Sequence, residues 1–122
     1  MVKFPYREEG NPPILRPTVD VRLCSPPNGE WTTRALIDSG SPLTIFDRGV
    51  AEALCLNIGR FGAEKGHFWD ARVAFITDRT FQMPFQGILG AEGFLNKFVV
   101  TFHAYQNFFL IEHPDDWSLR NE

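Results

Sequence analysis

An aspartate that directly follows an apolar run is the residue in this sequence best placed to do chemistry. The apolar residues 35–37 lead into Asp38, and Ser39, Gly40 and Ser41 follow it. A carboxylate at the end of a buried strand is unfavourable unless it has hydrogen-bond partners or a function. Because the serine hydroxyls can donate to it and the glycine lets the backbone approach closely, these residues predict an active site. An Asx turn after a strand uses the same residue types, so a second signal is needed.

A second apolar segment that ends in glycine lies later in the chain. It contains Ile88, Leu89 and Gly90. On its own, such a segment would be interpreted as the end of a core strand. Its position after Asp38, and before the short helical turns predicted at 91–98, favours a functional pairing of the two motifs.

The rest of the chain consists mostly of strands that must position these two motifs. Alternating residues in 18–24 and strand composition in 31–38 predict a hairpin around the Asn28-Gly29 turn. The glycine-rich stretch 59–66 predicts a hairpin tip. Further strands are predicted at 43–46, 67–77, 80–83, 99–102 and 107–112, and short helices at 47–54, capped by Asp47, and at 91–98. The fold class is therefore mainly β with two short helices.

The two ends of the chain differ from its middle. Four prolines in residues 1–17 predict an irregular N-terminal arm that can pair along a sheet edge, because proline lacks an amide donor. Residues 113–122 form a polar C-terminal tail. One globular domain is expected between them, over residues 18–112.

Composition excludes several classes of function. The net charge of −3 gives no basic surface for nucleic acid, and no apolar run is long enough for a membrane span. The N-terminus has no apolar stretch typical of a signal peptide, so we expect a cytoplasmic chain with reduced cysteines. Three scattered histidines and two cysteines do not have metal-ligand spacing, so neither a metal nor another cofactor is expected.

In this order, the two motifs resemble those of the retropepsin-like aspartic proteases, of the single-domain cellular or bacterial type. The resemblance implies the acid-protease fold, a closed β-barrel, with Asp38 as the catalytic residue. It implies that Ser39 joins a hydrogen-bond lattice between subunits, that Gly40 lies near the substrate backbone, and that Ser41 bonds the outer oxygen of Asp38. It also implies a flap that closes over bound peptide and consists of Gly62, Ala63, Glu64, Lys65 and Gly66.

One catalytic aspartate in each chain requires two chains. Two-fold association would bring each Asp38 to its mate, and two close carboxylates would share one proton. The ionised carboxylate would take a proton from water while the neutral one donates to the scissile carbonyl. The sequence therefore predicts a homodimeric aspartic endopeptidase that binds an extended polypeptide under its flaps. The strand at 108–112 is a better candidate for the dimer interface than the proline-rich arm.

The sequence departs from the family between the flap and the second motif. Residues 80–84 run almost directly into 85–88, so a strand or connection that forms the wall of the cleft is shortened. This leaves an alternative open, namely a catalytically silent domain of the same fold that binds a peptide or a partner. A third hypothesis is a small β-barrel interaction module with an accidental motif, in which Asp38 would be exposed and unpaired.

Overall fold

The computed structural model describes residues 1–24, 30–53, 60–63, 67–70, 73–76 and 84–112, which are mainly β. The strands are β1 (Val2–Pro5), β2 (Arg7–Glu9), β3 (Ile14–Arg16), β4 (Thr18–Cys24), β5 (Glu30–Ile37), β6 (Ile45–Phe46), β7 (Arg60–Ala63), β8 (His67–Asp70), β9 (Ala74–Phe75), β10 (Gly87–Leu89), β11 (Val99–His103) and β12 (Phe108–Glu112). One α-helix, α1 (Arg48–Ala53), follows β6, and a 3-10 turn (Ala104–Gln106) joins β11 to β12. In these described ranges, no helix is long and apolar enough to span a membrane.

Three sheets contain these strands. The large sheet has the order β8-β7-β4-β5-β10-β6-β9, a three-stranded sheet has the order β1-β12-β11, and β2 pairs with β3. The predicted closed barrel is not found in the described part of the chain. Closure requires the first and last strands of a sheet to pair, and β8 and β9 lie at opposite edges of the large sheet.

The predicted pairing of β4 with β5 lies in the middle of the large sheet and is confirmed, whereas the predicted Asn28-Gly29 turn lies outside the described residues. Val19, Val21 and Leu23 alternate along β4 and are buried, as are Ala35 and Ile37 on β5. The two strands pair antiparallel from Thr18 opposite Leu36 to Cys24 opposite Glu30. Because successive side chains of a strand point to opposite faces, this alternation places one face of the hairpin in the core.

One of the two predicted helices is regular and the other is not. Asp47 directly precedes α1, and its Oδ1 accepts a hydrogen bond from the Val50 N–H at 3.3 Å, so the predicted cap is confirmed. Residues 54–59, where the end of this helix was predicted, lie outside the described residues. The segment 91–98 forms successive turns instead of a helix. Gly93 has a φ of +98°, a left-handed conformation that an α-helix cannot continue through.

The N-terminal segment is not irregular. Its prolines lie at the end of β1, in the turn between β2 and β3, and between β3 and β4, where a missing amide donor does not break a ladder. The predicted edge pairing is confirmed, since β1 pairs antiparallel with β12 and lies at the edge of its sheet. Phe4 is buried and stacks on Phe109, so this segment contributes to the core.

The strand predicted to form a dimer interface lies inside a sheet. β12 pairs with β1 on one side and with β11 on the other. Both of its backbone edges are therefore occupied within one chain, so Phe108–Glu112 has no free backbone edge for pairing with a second chain, and its place in a dimer interface stays a prediction.

Candidate functional site

Asp38 follows directly after β5, and its backbone is held on both sides. The Asp38 N–H donates to the carbonyl oxygen of Leu89 at 3.0 Å, and the Ser41 N–H donates to the carbonyl oxygen of Asp38 at 3.1 Å. Its Oδ1 accepts a hydrogen bond from the Gly40 N–H at 2.9 Å. The side chain is half-buried. The bond from Gly40 forms an Asx turn, so Asp38 is neither fully exposed nor unpaired within the chain.

The two sequence motifs meet because β10 lies between β5 and β6. β10 runs parallel to β5, with Leu89 opposite Ile37, and antiparallel to β6, with Ile88 opposite Ile45. The strands β5 and β6 are thus antiparallel, and the loop that joins them, residues 38–44, passes the end of β10. The topology brings Asp38 beside Leu89 although the two residues are far apart in sequence.

Gly90 is the point at which the second motif contacts this loop. A Cβ on Gly90 would lie 2.2 Å from the carbonyl oxygen of Leu43 and 2.6 Å from that of Ser41. Next to it, the N–H groups of Ala91 and Glu92 donate to the carbonyl oxygens of Ser41 and Pro42, at 2.9 and 3.1 Å. Only glycine allows the two backbones to approach this closely.

Thr44 is a site residue that the motifs do not reveal. It is 1% exposed, and its Oγ1 accepts a hydrogen bond from the Gly90 N–H at 3.1 Å. Its own N–H donates to the carbonyl oxygen of Glu92 at 3.1 Å, and its carbonyl oxygen accepts from the Ala74 N–H at 2.9 Å. Thr44 therefore fixes the end of the Asp38 loop to the second motif. A hydroxyl inside the apolar run 43–46 was the signal that could have identified it.

Ser41 does not make the hydrogen bond that the resemblance implies. The Ser41 hydroxyl donates to the carbonyl oxygen of Leu43 at 2.7 Å, not to the Asp38 carboxylate. Its single proton is therefore used inside the loop. Ser39 and Gly40 are exposed, and so is Leu43 at 44%. One face of the loop is open to solvent in the single chain.

The predicted flap falls partly on described residues. Gly62 and Ala63 lie at the end of β7, and Ala63 pairs with His67 at the start of β8. The predicted hairpin is therefore present, and it extends the large sheet beyond β4. Glu64, Lys65 and Gly66 lie outside the described residues, as do residues 80–83 of the shortened segment, whose remainder, 84–88, is described and leads into β10.

A charge cluster around the buried side chain of Glu9 involves Arg34, which lies on β5 upstream of Asp38. The Glu9 side chain is 1% exposed and accepts from Arg34 Nη1 at 3.0 Å and from the Thr18 hydroxyl at 2.6 Å. Asp20 lies 3.1 Å from Arg7 Nη2 and 3.9 Å from Arg34 Nε. The cluster joins β2, β4 and β5, and the carboxylate of Glu9 is stable there because each of its oxygens has a donor. Sequence reasoning did not single out these residues.

No protein-family model matches this sequence, and no curated protein matches it significantly. Assignment of a function to this site therefore depends on the residues and distances given above.

Proposed function

We propose that the protein is an aspartic endopeptidase of the retropepsin-like type that acts as a homodimer. The observation that carries the proposal is the placement of Asp38 against the second motif. Its N–H bonds the Leu89 carbonyl, and Gly90 packs against the loop that contains Asp38. Two weak sequence motifs that could each arise by chance thus form one structural unit, in the order that the family resemblance requires.

The partial exposure and the hydrogen bonds of the Asp38 carboxylate support a hydrolytic role. Asp38 is half-buried, and one of its oxygens accepts from the Gly40 N–H. The backbone on both sides of Asp38 is fixed by hydrogen bonds, so the carboxylate is held in place without being enclosed. Such a group can meet a second carboxylate and a water molecule at the exposed face of its loop.

In the proposed dimer, the two Asp38 carboxylates share one proton. The ionised carboxylate takes a proton from water, whose oxygen bonds to the carbonyl carbon of the scissile peptide. The neutral carboxylate gives its proton to the carbonyl oxygen. When the tetrahedral intermediate collapses, one of its hydroxyl groups returns a proton to the carboxylate that is then ionised, the C–N bond breaks, and the amine nitrogen takes the proton held by the other carboxylate. The substrate is an extended polypeptide that lies as an added strand beneath the β7–β8 hairpins.

A catalytically silent domain of the same fold remains the second candidate. The observation that favours it is the Ser41 hydroxyl, which bonds the Leu43 carbonyl and not the carboxylate of Asp38. Such a domain would use the same cleft to bind a peptide without cleaving it.

A cleavage assay distinguishes the two. The parent chain and Asp38→Asn are incubated with a peptide library from pH 3 to pH 7, and products are identified by mass spectrometry. We expect the parent to cleave and Asp38→Asn to lose several orders of magnitude in rate, because the amide cannot act as a base.

Asp47→Asn is the matched control for this assay. It makes the same chemical change at a carboxylate outside the site, and asparagine caps a helix as well as aspartate does. Cleavage by Asp38→Asn at the parent rate contradicts the proposal. A parent that binds peptides but cleaves none across the pH range favours the silent domain.

A further inference from the structure

Two arginines lie directly opposite each other on the hairpin of β2 and β3. Arg7 on β2 pairs with Arg16 on β3. Directly opposed residues of antiparallel strands share a face, with Cβ atoms about 4.5–5.5 Å apart, and like charges there destabilise the pair. Both side chains are half-buried, so water and salt screen their repulsion only in part. The hairpin therefore carries an unfavourable pair of charges unless an anion neutralises it.

The chain supplies partners for Arg7 but not for Arg16. Arg7 donates from Nε to the Thr18 hydroxyl at 3.3 Å and from Nη2 to Asp20 Oδ1 at 3.1 Å. Arg16 has neither a hydrogen bond nor an ion pair with any residue that the structure describes, and its Nε atom is buried. A buried donor without an acceptor is rare in proteins, and it indicates that a water molecule or an ion supplies one.

The described carboxylates near Arg16 are already engaged. Glu9 accepts one hydrogen bond at each carboxylate oxygen, and Asp20 accepts from Arg7. Glu8 is exposed and lies on the opposite face of β2, because successive side chains of a strand alternate. In this cluster three arginines meet two carboxylates, and the positive charge left over is that of Arg16.

We infer that Arg16, with Arg7 opposite it, binds a phosphate group, from either free phosphate or a phosphate monoester. The guanidinium group presents its donors as a planar fork, which matches two oxygens of one phosphate. A water molecule would satisfy the buried Nε–H but would not balance the charge. A phosphate has acceptor oxygens on more than one side and can bridge both strands. The inference does not depend on the proposed peptidase activity, because no residue of the Asp38 loop takes part.

Bound phosphate would stabilise the β2–β3 hairpin. It replaces the repulsion between Arg7 and Arg16 with the attraction of both to one anion. Only the folded hairpin brings the two side chains together, so binding stabilises the folded chain by mass action. The melting temperature should therefore rise with phosphate concentration at constant ionic strength, and it should not rise with chloride.

Titration of the parent chain with inorganic phosphate tests the site. In NMR spectra of the arginine side chains, at pH 7 and constant ionic strength, we expect the Arg16 Nε–H resonance to shift and to saturate. Arg16→Gln removes that resonance and should raise the Kd about 10–100-fold, because hydrogen bonds to charged groups are worth that much. Arg22→Gln is the matched control, since it removes the same charge from β4, where Arg22 lies 3.8 Å from Glu30. Its Kd should equal that of the parent.

The variants without phosphate separate a binding role of Arg16 from a structural one. Free Arg16→Gln should melt at or above the temperature of the parent, measured by circular dichroism, because it relieves the repulsion with Arg7. Arg16→Lys keeps the charge but loses the fork, so it should bind phosphate less tightly than the parent and more tightly than Arg16→Gln. An Arg16→Gln chain that is unfolded, or that melts well below the parent without phosphate, would contradict the inference.

Adenosine monophosphate and acetate identify the ligand. If adenosine monophosphate binds at least as tightly as inorganic phosphate, the site belongs to phosphate monoesters, and if it binds more weakly, the site belongs to the free ion. Acetate binding as tight as that of phosphate would contradict the assignment to phosphate. The absence of a saturable shift, or an equal loss of affinity in Arg16→Gln and Arg22→Gln, overturns the inference. None of these readouts involves peptide cleavage, so the phosphate site and the proposed peptidase stand or fall separately.

Discussion

Replacing Gly90 with alanine would place a methyl group inside the contact between the second motif and the Asp38 loop. The new Cβ would lie 2.2 Å from the Leu43 carbonyl oxygen and 2.6 Å from the Ser41 carbonyl oxygen. Both obstacles are backbone atoms, so no side chain can rotate away. Since ordinary contacts of a Cβ begin near 3.4 Å, the loop must move by about 1 Å. We expect a loss of about 3 kcal/mol in the free energy of unfolding, at the upper end for overpacking.

The same displacement reaches Asp38, because the loop that must move starts there. A shift of about 1 Å in a catalytic group can lower the rate about 100-fold, so we expect that loss in kcat/KM for Gly90→Ala. The melting temperature, measured by circular dichroism, should fall by about 10 °C. Gly49→Ala is the matched control, since the nearest atom to its Cβ would be a side-chain oxygen, Asp47 Oδ1 at 3.3 Å, which needs to yield by only about 0.1 Å to reach ordinary contact, and alanine favours helix. A Gly90→Ala chain with the stability and kcat/KM of the parent would show that the packing described here is wrong.

Three further substitutions test the supports of the site. Glu9→Gln removes the charge that Arg34 pairs with. Because Arg34 is 44% exposed, water screens this pair, and we expect the free energy of unfolding measured in urea to fall by about 2 kcal/mol. Glu8→Gln, at an exposed position, should leave that free energy unchanged. Thr44→Val leaves the buried Gly90 N–H without its acceptor. We expect the free energy of unfolding to fall by about 1–3 kcal/mol. Equal stability of Thr44→Val and of the control Thr32→Val, at an exposed position, would contradict this. Ser41→Ala loses the hydrogen bond to the Leu43 carbonyl, and we expect the free energy of unfolding to fall by about 1 kcal/mol. The pH profile of cleavage should keep its shape. A displaced acid limb in that profile would mean that Ser41 contacts Asp38 in the dimer.

Local patterns predicted the parts of the fold that depend on neighbouring residues. Alternation in 18–24 predicted the buried face of β4, and the side chain of Asp47 predicted the start of α1. Each of these depends on contacts within a few residues or across one hairpin, which a short window of sequence contains. The Asp38 motif was found in the same way.

The rest depends on contacts between distant segments. Nothing in the residues of β10 states that it lies between β5 and β6, and the burial of Thr44 against Gly90 follows from that packing. The burial of Glu9 follows from contacts of β2 with β4 and β5. The N-terminal prolines predicted an irregular arm because proline resists regular structure. In the structure they lie at the end of a strand or between short strands, where they interrupt no ladder. The segment 91–98 has a helical pattern that Gly93 interrupts with a left-handed turn.

The insertion of β10 between β5 and β6 has a consequence for how the chain folds. Neither strand can complete its ladder until a segment from much later in the chain arrives, and β1 likewise requires β12. Loop-closure entropy must be overcome before these pairings stabilise anything, so we expect slow folding with a high contact order. During synthesis, the Asp38 loop would remain without its support until residue 90 has left the ribosome. The loop that contains Asp38 would therefore stay unassembled in a nascent chain while most of that chain is still being made.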